Sequence, residues 1–306
     1  MAKYFVKRIL QMVPLLIVLS VIVFFLIRLI PGDPVTAMLG PGVVPANIEY
    51  ERERLGLNDP IWVQYGRFVS GVLKGDLGKS IVTKKPVFYE IGKRLPVTLI
   101  LAVGGTVISS LLGVLLGVIA AVKHNKFWDN AIMFLSLLTV STPSFFLALL
   151  LVLIFSLQLG WLPSIGLSTP RHAIMPLLTL GSTGVGFMAR TTRSAMLDVI
   201  RRDYIRTSRS RGIPERVVIY VHALKNALIP VITAIGLRFG GLLAGSALVE
   251  TVFSIPGMGR FLVDSVSKRD YPCVQAGILV LAAVFIVVNT LVDLLYAAVD
   301  PRIRYT

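Results

Sequence analysis

The chain has 306 residues, of which 55% are hydrophobic and only 15% are charged, whereas average soluble domains are about 45–50% apolar and about 25% charged. Its formal net charge is +15, but the charges lie between apolar stretches rather than on one soluble face, which argues against a nucleic-acid partner. Residues 9–27 and 98–122 contain no ionisable side chain. Because about 20 residues of helix cross the roughly 30 Å of hydrocarbon in a bilayer, both stretches predict transmembrane helices.

The N-terminal segment begins with Lys3, Lys7 and Arg8, ahead of a long apolar stretch. That stretch is too long for the apolar region of a cleaved signal peptide, and no small-residue cleavage site closes it. We expect residues 1–30 to form a retained transmembrane helix that starts in the cytoplasm and stops at Pro31.

A polar segment, residues 31–96, follows the first helix and carries both carboxylates and basic side chains. Long loops cross a membrane largely regardless of their charge, so its positive charge does not assign it to the cytoplasm. We expect this segment to form a small folded extracytoplasmic cap. The rest of the chain, residues 97–306, is expected to form a five-helix core that includes a cytoplasmic loop at residues 191–226.

Five apolar stretches in this core are expected to span the membrane, at residues 97–122, 130–158, 173–190, 227–250 and 276–298. The second of them contains Thr142 and Pro143 near its middle. Each half alone is too short to cross, so the stretch is interpreted as one helix with a kink at Pro143.

Six spans in total leave both termini in the cytoplasm. The basic turn 123–126 and the loop 191–226 then lie inside, as the positive-inside bias requires. In the short loop predicted to lie outside after the fifth span, Arg260, Lys268 and Arg269 run against that bias.

No catalytic signature stands out. The patterns H-E-x-x-H and G-x-S-x-G are absent, and Cys273 is the single cysteine, so neither an intrachain disulfide nor a cysteine metal cluster is possible. Gly78-Lys79-Ser80 resembles the end of a phosphate-binding loop, but Leu73 stands where the first glycine is required. We expect no catalytic, cofactor-binding or metal-binding residue in this chain. Any energy source that the protein uses must then be a partner protein or an ion gradient.

The loop at residues 191–226 is strongly basic and has a helical pattern before Gly212, with Met196, Val199, Ile200 and Tyr204 expected on one side. Gly212 can end that helix in a left-handed conformation, and Pro214 can stand near the start of a second helix. The loop therefore predicts a helix–turn–helix at the cytoplasmic membrane surface. One interpretation is an amphipathic helix attracted to anionic membrane lipid.

A second interpretation comes from resemblance. The order of helix, glycine, short helix and Ile229-Pro230 resembles the coupling loop of ABC importer permeases, with Arg206-Thr207-Ser208 at the family's usual Glu-Ala-Ala. The form YIRTSRSRG at 204–212 is similar to the variant in the dipeptide, oligopeptide, glutathione and nickel branch. Further segments similar to that branch are PGDP at 31–34, LGLNDP at 55–60, GDLG at 75–78, FSIPGMGR at 253–260, RDYP at 269–272, VDLLY at 292–296 and DPRIRY at 300–305.

The resemblance implies an all-α integral membrane protein of six transmembrane helices in a bacterial inner membrane. It implies a homologous second permease, two ATPase subunits that bind ATP and Mg, and an extracytoplasmic substrate-binding protein. The chain would form half of the path for peptides, with a nickel importer of the same family as an alternative. The residues expected to couple to the ATPase are Tyr204, Arg206, Thr207, Ser208, Arg211, Gly212 and Pro214.

Within the span at 227–250, Arg238 is a charge where charges are costly and usually face a cavity or a partner. It is expected either to line the translocation path together with Gly241 and Gly245, or to pair with an acidic residue of this or the partner subunit. The glycines also suit close helix packing. The main alternative to an ABC importer permease is an ion-driven secondary carrier. Such a carrier would need membrane-embedded carboxylates and inverted repeats. The sequence has few such carboxylates and no obvious inverted repeat.

Overall fold

The structure, a computed structural model, describes residues 2–29, 33–39 and 44–299. The predicted stop of the first helix at Pro31 and the tail segment 300–305 lie outside these described residues. Within them the chain is helical, and the only strand-like pairing is an isolated bridge between Lys79 and Pro86.

Fourteen α-helices and two π-helical segments make up the described part of the chain. In chain order they are α1 (Ala2–Leu29), α2 (Pro34–Leu39), α3 (Pro45–Arg54), α4 (Ile61–Leu73), α5 (Val87–Val122), α6 (Phe127–Ser141), α7 (Ser144–Leu151), a π segment (Val152–Gln158), α8 (Pro170–Ile200), α9 (Asp203–Ser210), α10 (Glu215–Val217), a π segment (Val218–Ala223), α11 (Leu224–Gly245), α12 (Ala247–Val252), α13 (Met258–Ser267) and α14 (Tyr271–Val299). The all-α class expected from the sequence is confirmed.

Among the described residues, five helical stretches are long and apolar enough to cross a membrane: Leu10–Leu29, Val87–Val122, Pro170–Ile200, Glu215–Leu243 and Tyr271–Val292. Two helices extend beyond the predicted spans by ten residues, since α5 begins at Val87 rather than at residue 97 and α8 continues to Ile200 rather than ending at residue 190. The 31 residues of α8 correspond to about 46 Å at 1.5 Å per residue. This exceeds the thickness of the hydrocarbon, so part of α8 projects beyond it.

The stretch predicted as one kinked helix is broken in the structure. Helix α6 ends at Ser141 and α7 begins at Ser144, with a bend of 98° between α6 and the stretch Ser144–Gln158. Thr142 takes an extended conformation because the residue before a proline avoids the helical region, and its hydroxyl donates to the Leu138 carbonyl at 2.7 Å. Counted as one bent span, the pair brings the total to six.

The chain divides into two compact units, Met1–Thr98 with Pro256–Ile286, and Leu99–Ile255 with Val287–Thr306. In the first unit, α4 packs against α1 through aromatic side chains. The ring centroids of Phe24 and Tyr65 lie 5.1 Å apart, and the Tyr65 hydroxyl lies 2.9 Å from the Ser20 hydroxyl.

The loop at residues 78–86 of the first unit is held by a buried carboxylate. Asp270 is only 4% exposed and accepts hydrogen bonds from the Ser80 hydroxyl and from the backbone N–H of Ile81, the latter at 3.1 Å. The Ser80 hydroxyl oxygen in turn accepts from the N–H of Thr83 at 2.8 Å. The loop therefore has a fixed conformation although most of its side chains are exposed.

In the second unit, α8 packs against α6 and α11, and it also lies close to α5. A Cβ atom on Gly117 of α5 would stand 2.6 Å from both the Ala189 carbonyl oxygen and the Thr192 Cβ. Only glycine permits this approach, which is the usual way in which membrane helices pack closely. The same end of α5 contributes Val118 to an apolar cluster that supports the segment after α8.

Candidate functional site

The segment after α8 is bent twice. The first bend breaks the helix expected before Gly212, because α8 ends at Ile200 and Arg202 adopts an extended conformation with φ −70° and ψ 148°. Asp203 then lies in the first turn of α9, where its carboxylate interacts favourably with the partial positive charge at the N-terminus of the helix. We call residues 201–217, from this break to the end of α10, the elbow.

The second bend is centred on Gly212, which has φ +74° as expected from the sequence. Its N–H donates to the Arg209 carbonyl at 2.9 Å, and the N–H of Ile213 donates to the Ser208 carbonyl at 3.4 Å. These two bonds form a Schellman motif, which ends helices at a left-handed glycine. Pro214 precedes the first residue of α10, so helix α9, a turn at Gly212 and helix α10 follow one another in the predicted order.

An ion pair closes the elbow across this turn. Arg209 donates to both carboxylate oxygens of Glu215, at 3.1 Å from Nε and 2.7 Å from a terminal nitrogen. The hydrogen bond that Arg209 donates to Glu215 raises the pKa of Arg209 above its ordinary value, against a smaller opposing effect of burial. Bidentate geometry of this kind restricts the orientation of both side chains.

One apolar side chain anchors the elbow. Ile205 is fully buried, and it packs with Met196 of α8, Val118 of α5 and Val218 of the following π segment. Burying such a side chain stabilises by about 1.5–3 kcal/mol. The elbow is therefore attached to three helical segments through its one buried residue.

The predicted coupling residues lie mostly on the opposite, solvent-exposed side. The Arg206 side chain is 74% exposed, and Ser208 is half-buried with its hydroxyl donating to the Tyr204 carbonyl at 2.8 Å. The remaining residues that are exposed are Tyr204, Thr207, Arg211, Gly212 and Pro214. The elbow thus presents a hydrophilic, cationic surface on a fixed backbone.

The predicted face of Met196, Val199, Ile200 and Tyr204 is interrupted by the break after Ile200. Met196 is fully buried, but Tyr204 is 44% exposed and its hydroxyl accepts from the Asn226 side chain at 2.9 Å. The break resets the helix register, so Ile205 takes the buried position that continuous periodicity assigns to Tyr204.

Two parts of this arrangement were missed by sequence reasoning. Ile205 could have been found as the one aliphatic side chain between Asp203 and Ser210. The pair of Arg209 and Glu215 could not, because residues six apart meet only when the chain turns between them.

A second polar cluster connects the turn before α6 with α8. The Asp129 side chain is 1% exposed and accepts from Arg193 Nε and a terminal nitrogen, at 2.6 and 2.7 Å. It also accepts from the backbone N–H of Asn125 at 2.9 Å, and His124 Nδ1 lies 3.2 Å away. This cluster, which the sequence analysis did not single out, holds the 123–126 turn against α8.

Arg238 of α11 binds neutral groups of α8. One terminal nitrogen donates to the Leu180 carbonyl at 2.6 Å and to the Thr183 hydroxyl at 2.7 Å. Its Nε is buried without a hydrogen-bond partner within the described residues, and a Cβ on Gly184 would lie only 3.0 Å from Arg238 Cζ. The glycine leaves the space that the guanidinium group occupies.

Gly241 and Gly245 lie on a side of α11 that is open in the described part of the chain. No atom there comes within 4 Å of a Cβ added at either position. Close packing around them is therefore not made by the described residues.

The described part of the chain contains no group of three or more His, Cys, Asp or Glu side chains that could hold a metal ion.

Comparison with protein families gives two matches. The family described as the binding-protein-dependent transport system inner membrane component matches residues 113–305. A second family, the N-terminal part of the membrane component of such systems, matches residues 1–102.

Curated relatives align with the whole chain. Glutathione transport system permease proteins GsiC from an Escherichia coli strain and from Salmonella paratyphi A are each 45% identical over 305 residues, covering 100% of both sequences. The dipeptide transport system permease protein DppB from Alkalihalophilus pseudofirmus is 43% identical over 333 residues, again covering 100% of both.

Solved structures share the fold. A chain of the inward-facing MetNI methionine ABC transporter has a TM-score of 0.58 at 20% identity and covers 69% of this chain and 97% of its own length. A chain of an amino acid ABC transporter has a TM-score of 0.51 at 18% identity, with coverage of 77% and 98%. The family matches and the full-length relatives show that the chain belongs to the inner membrane components of binding-protein-dependent transport systems, the permease subunits of ABC importers.

Proposed function

We propose that this chain forms half of the transmembrane path of an ATP-driven importer of peptides, either di- or oligopeptides or glutathione. The observation that carries the proposal is full-length identity of 45% and 43% to permeases named for glutathione and dipeptide transport. Both names favour a peptide over nickel as the cargo. The chain contributes transport rather than catalysis, as its family membership implies.

The energy for import comes from partner subunits in this proposal. Two ATPase subunits bind ATP and Mg and hydrolyse the nucleotide, while this chain holds neither. A homologous second permease supplies the other half of the path, and an extracytoplasmic binding protein delivers the substrate. The cap segment 31–96 faces that protein, and both termini lie in the cytoplasm.

The elbow is the proposed contact with the ATPase. Its exposed cationic surface, which includes Arg206 and Arg211, suits a polar cleft on a partner. Ile205, buried beneath that surface among α5, α8 and the π segment before α11, passes a displacement of the elbow on to these helices. Interfaces and packed cores respond to such displacements by switching between discrete arrangements rather than by deforming continuously.

The Asp129 cluster extends this link to α6. Because Arg193 of α8 holds the buried Asp129 carboxylate in two hydrogen bonds, a displacement of α8 carries the start of α6 with it. A carboxylate–guanidinium pair with two parallel bonds is well suited to keep two helices in register.

The path is proposed to include Arg238, Gly241 and Gly245. The guanidinium group bonds only to neutral oxygens of Leu180 and Thr183 in the hydrogen bonds described above, so its charge is available to a passing substrate carboxylate. Replacing Arg238 with Gln and with Met tests this role. Unchanged peptide uptake in complexes that assemble normally contradicts it and favours a structural role.

Two experiments test the proposed function itself. In proteoliposomes that contain all subunits and the binding protein, labelled dipeptide or glutathione is expected to accumulate only with ATP. In intact cells, a cysteine introduced at Ser210 is expected to resist thiol reagents that cannot cross the membrane. Uptake without ATP, or labelling of residue 210 from outside, rejects the proposal.

A further inference from the structure

A cavity of about 450 Å³ lies within the first unit, between the cap segment and the first turn of α14. Its apolar lining includes Phe24, Leu57 and Phe68. Sites for small molecules in proteins have volumes of about 300–1,000 Å³ and combine an apolar lining with a few polar groups. The cavity has the size and the lining of such a site.

The charged groups that line this cavity are mostly cationic. Five basic side chains contribute to it, against one carboxylate from Asp76. The five are Arg28, Arg54, Arg67, Lys79 and Lys84. Two of them are matched by carboxylates outside the lining, since Arg54 pairs with Glu51 at 2.7 Å and Arg67 with Asp59 at 2.6 Å. Arg28 and Lys79 still outnumber the one carboxylate, so the lining has a net positive charge without counting these two pairs or Lys84.

Arg28 is the half-buried cation of this set. Its hydrogen bonds end on neutral oxygens, the Phe24 carbonyl and Gln64 Oε1, both at 2.8 Å, and its Cζ stands 3.4 Å from the centre of the Phe24 ring. A guanidinium group offers five N–H donors. An anion in the cavity would supply the charged acceptor that these neutral groups do not.

Gln275 gives an independent indication that the cavity binds a ligand. The residue is only 6% exposed and contributes to the lining, and its Nε2 has no hydrogen-bond partner among the described residues. A buried N–H donor without a partner costs about 1–3 kcal/mol. A ligand with an oxygen acceptor would remove this penalty on binding.

We propose that this cavity binds the carboxylate of a short peptide, with Arg28 supplying the charge and Gln275 Nε2 a hydrogen bond. The apolar side chains of the peptide pack against Phe24, Leu57 and Phe68. The choice of a peptide rests on the proposed import function, since the cavity chemistry by itself requires only an anion on an apolar body.

The test uses the full chain assembled with its partner subunits in nanodiscs of phosphatidylcholine, without ATP or binding protein. The probe is a dipeptide of alanine and a diazirine-bearing leucine analogue with a free carboxylate, and its C-terminal amide is the matched control. After photolysis, mass spectrometry locates the labelled residues. The acid is expected to label residues 54–57 and 271–275, and the amide about tenfold less, as for loss of a charged hydrogen bond.

Three variants sharpen the test. Gln275→Leu is expected to reduce labelling about tenfold without lowering the thermal stability, because the Nε2 donor it removes has no hydrogen-bond partner among the described residues. Arg28→Gln is expected to reduce labelling about as strongly. Lys79→Gln is expected to reduce it about threefold, as for an exposed charge, whereas Lys85→Gln, in the same loop but outside the lining, leaves labelling unchanged.

Equal labelling by acid and amide, or full labelling of a stable Gln275→Leu variant, overturns the site. Displacement of the probe by inorganic phosphate or phosphatidylglycerol but not by unlabelled dipeptide overturns the assignment to a peptide. ATP-driven uptake, measured after the same complex is reconstituted into proteoliposomes with its binding protein, separates the two proposals. Uptake without cavity labelling rejects the cavity alone, while labelling without uptake rejects the import function alone.

Discussion

The elbow and the loop at residues 78–86 are both polar connections with a fixed conformation, but opposite kinds of side chain hold them. The elbow is anchored by the buried Ile205, and its charged side chains remain at the surface. The loop is anchored by the buried Asp270, which binds Ser80 and a backbone N–H. An apolar anchor uses no polar group of the segment it holds, whereas a polar anchor occupies the groups it binds, here the Ser80 hydroxyl and the Ile81 N–H.

This difference predicts a large loss of stability when the polar anchor is removed. Asp270→Ala removes the acceptor of buried donors on Ser80 and Ile81, and each unsatisfied donor costs about 1–3 kcal/mol. We expect the free energy of unfolding to fall by about 2–4 kcal/mol on this basis, measured as a lower thermal midpoint in detergent and as faster hydrogen exchange at the Ile81 amide.

Asp264→Ala is the matched control, because that carboxylate is 57% exposed and lies 3.9 Å from Arg260. Its effect is expected to stay below about 0.5 kcal/mol. Equal midpoints for the two variants would show that Asp270 does not anchor the loop.

At the apolar anchor, Ile205→Ala removes buried volume from the cluster with Met196 and Val218. Such truncations cost about 2–5 kcal/mol, and Ile205→Val about 0.5–1.5 kcal/mol. Because the elbow then loses its attachment, we expect peptide uptake per ATP hydrolysed to fall in the alanine variant and to be nearly unchanged in the valine variant. Tight coupling in a destabilised Ile205→Ala complex would contradict a transmitting role.

The turn itself is the next test. Gly212→Ala forces an L side chain into φ +74°, which costs about 1–2 kcal/mol. No atom within the described residues lies within 4 Å of the added Cβ, so the cost comes from the backbone alone. Gly212→Asn is therefore expected to be milder, since asparagine tolerates this conformation. Equal thermal midpoints for the Gly212→Ala and Gly212→Asn variants would show that backbone strain is not the cause of the destabilisation.

The smallest effect is expected for the exposed ion pair. The side chains of Arg209 and Glu215 are 38% and 59% exposed, and such pairs contribute about 0.2–1 kcal/mol. A double-mutant cycle with Arg209→Gln and Glu215→Gln should give a coupling energy in this range that decreases as salt is raised to about 1 M, where the Debye length is about 3 Å. A salt-independent coupling energy would mean that the pair is part of the core.

Apolar periodicity and turn chemistry determined much of this protein from its sequence alone. Stretches without ionisable residues predicted the membrane helices, because charged side chains are costly in the hydrocarbon of a bilayer. Gly212 with Pro214 predicted the turn, because few residues suit those backbone positions. The order of short motifs also indicated the family that the comparisons then showed.

Tertiary structure decided which groups meet. The contacts of Asp129 with Arg193, of Asp270 with Ser80, and of Arg238 with Leu180 join residues far apart in the chain, and no local pattern encodes such pairs. The break at Arg202 was equally hidden, because helix propensity differs by less than about 1 kcal/mol per residue and the packing of Ile205 outweighs it. Local chemistry specifies where helices form and turn, while the register of buried side chains is set by what they pack against.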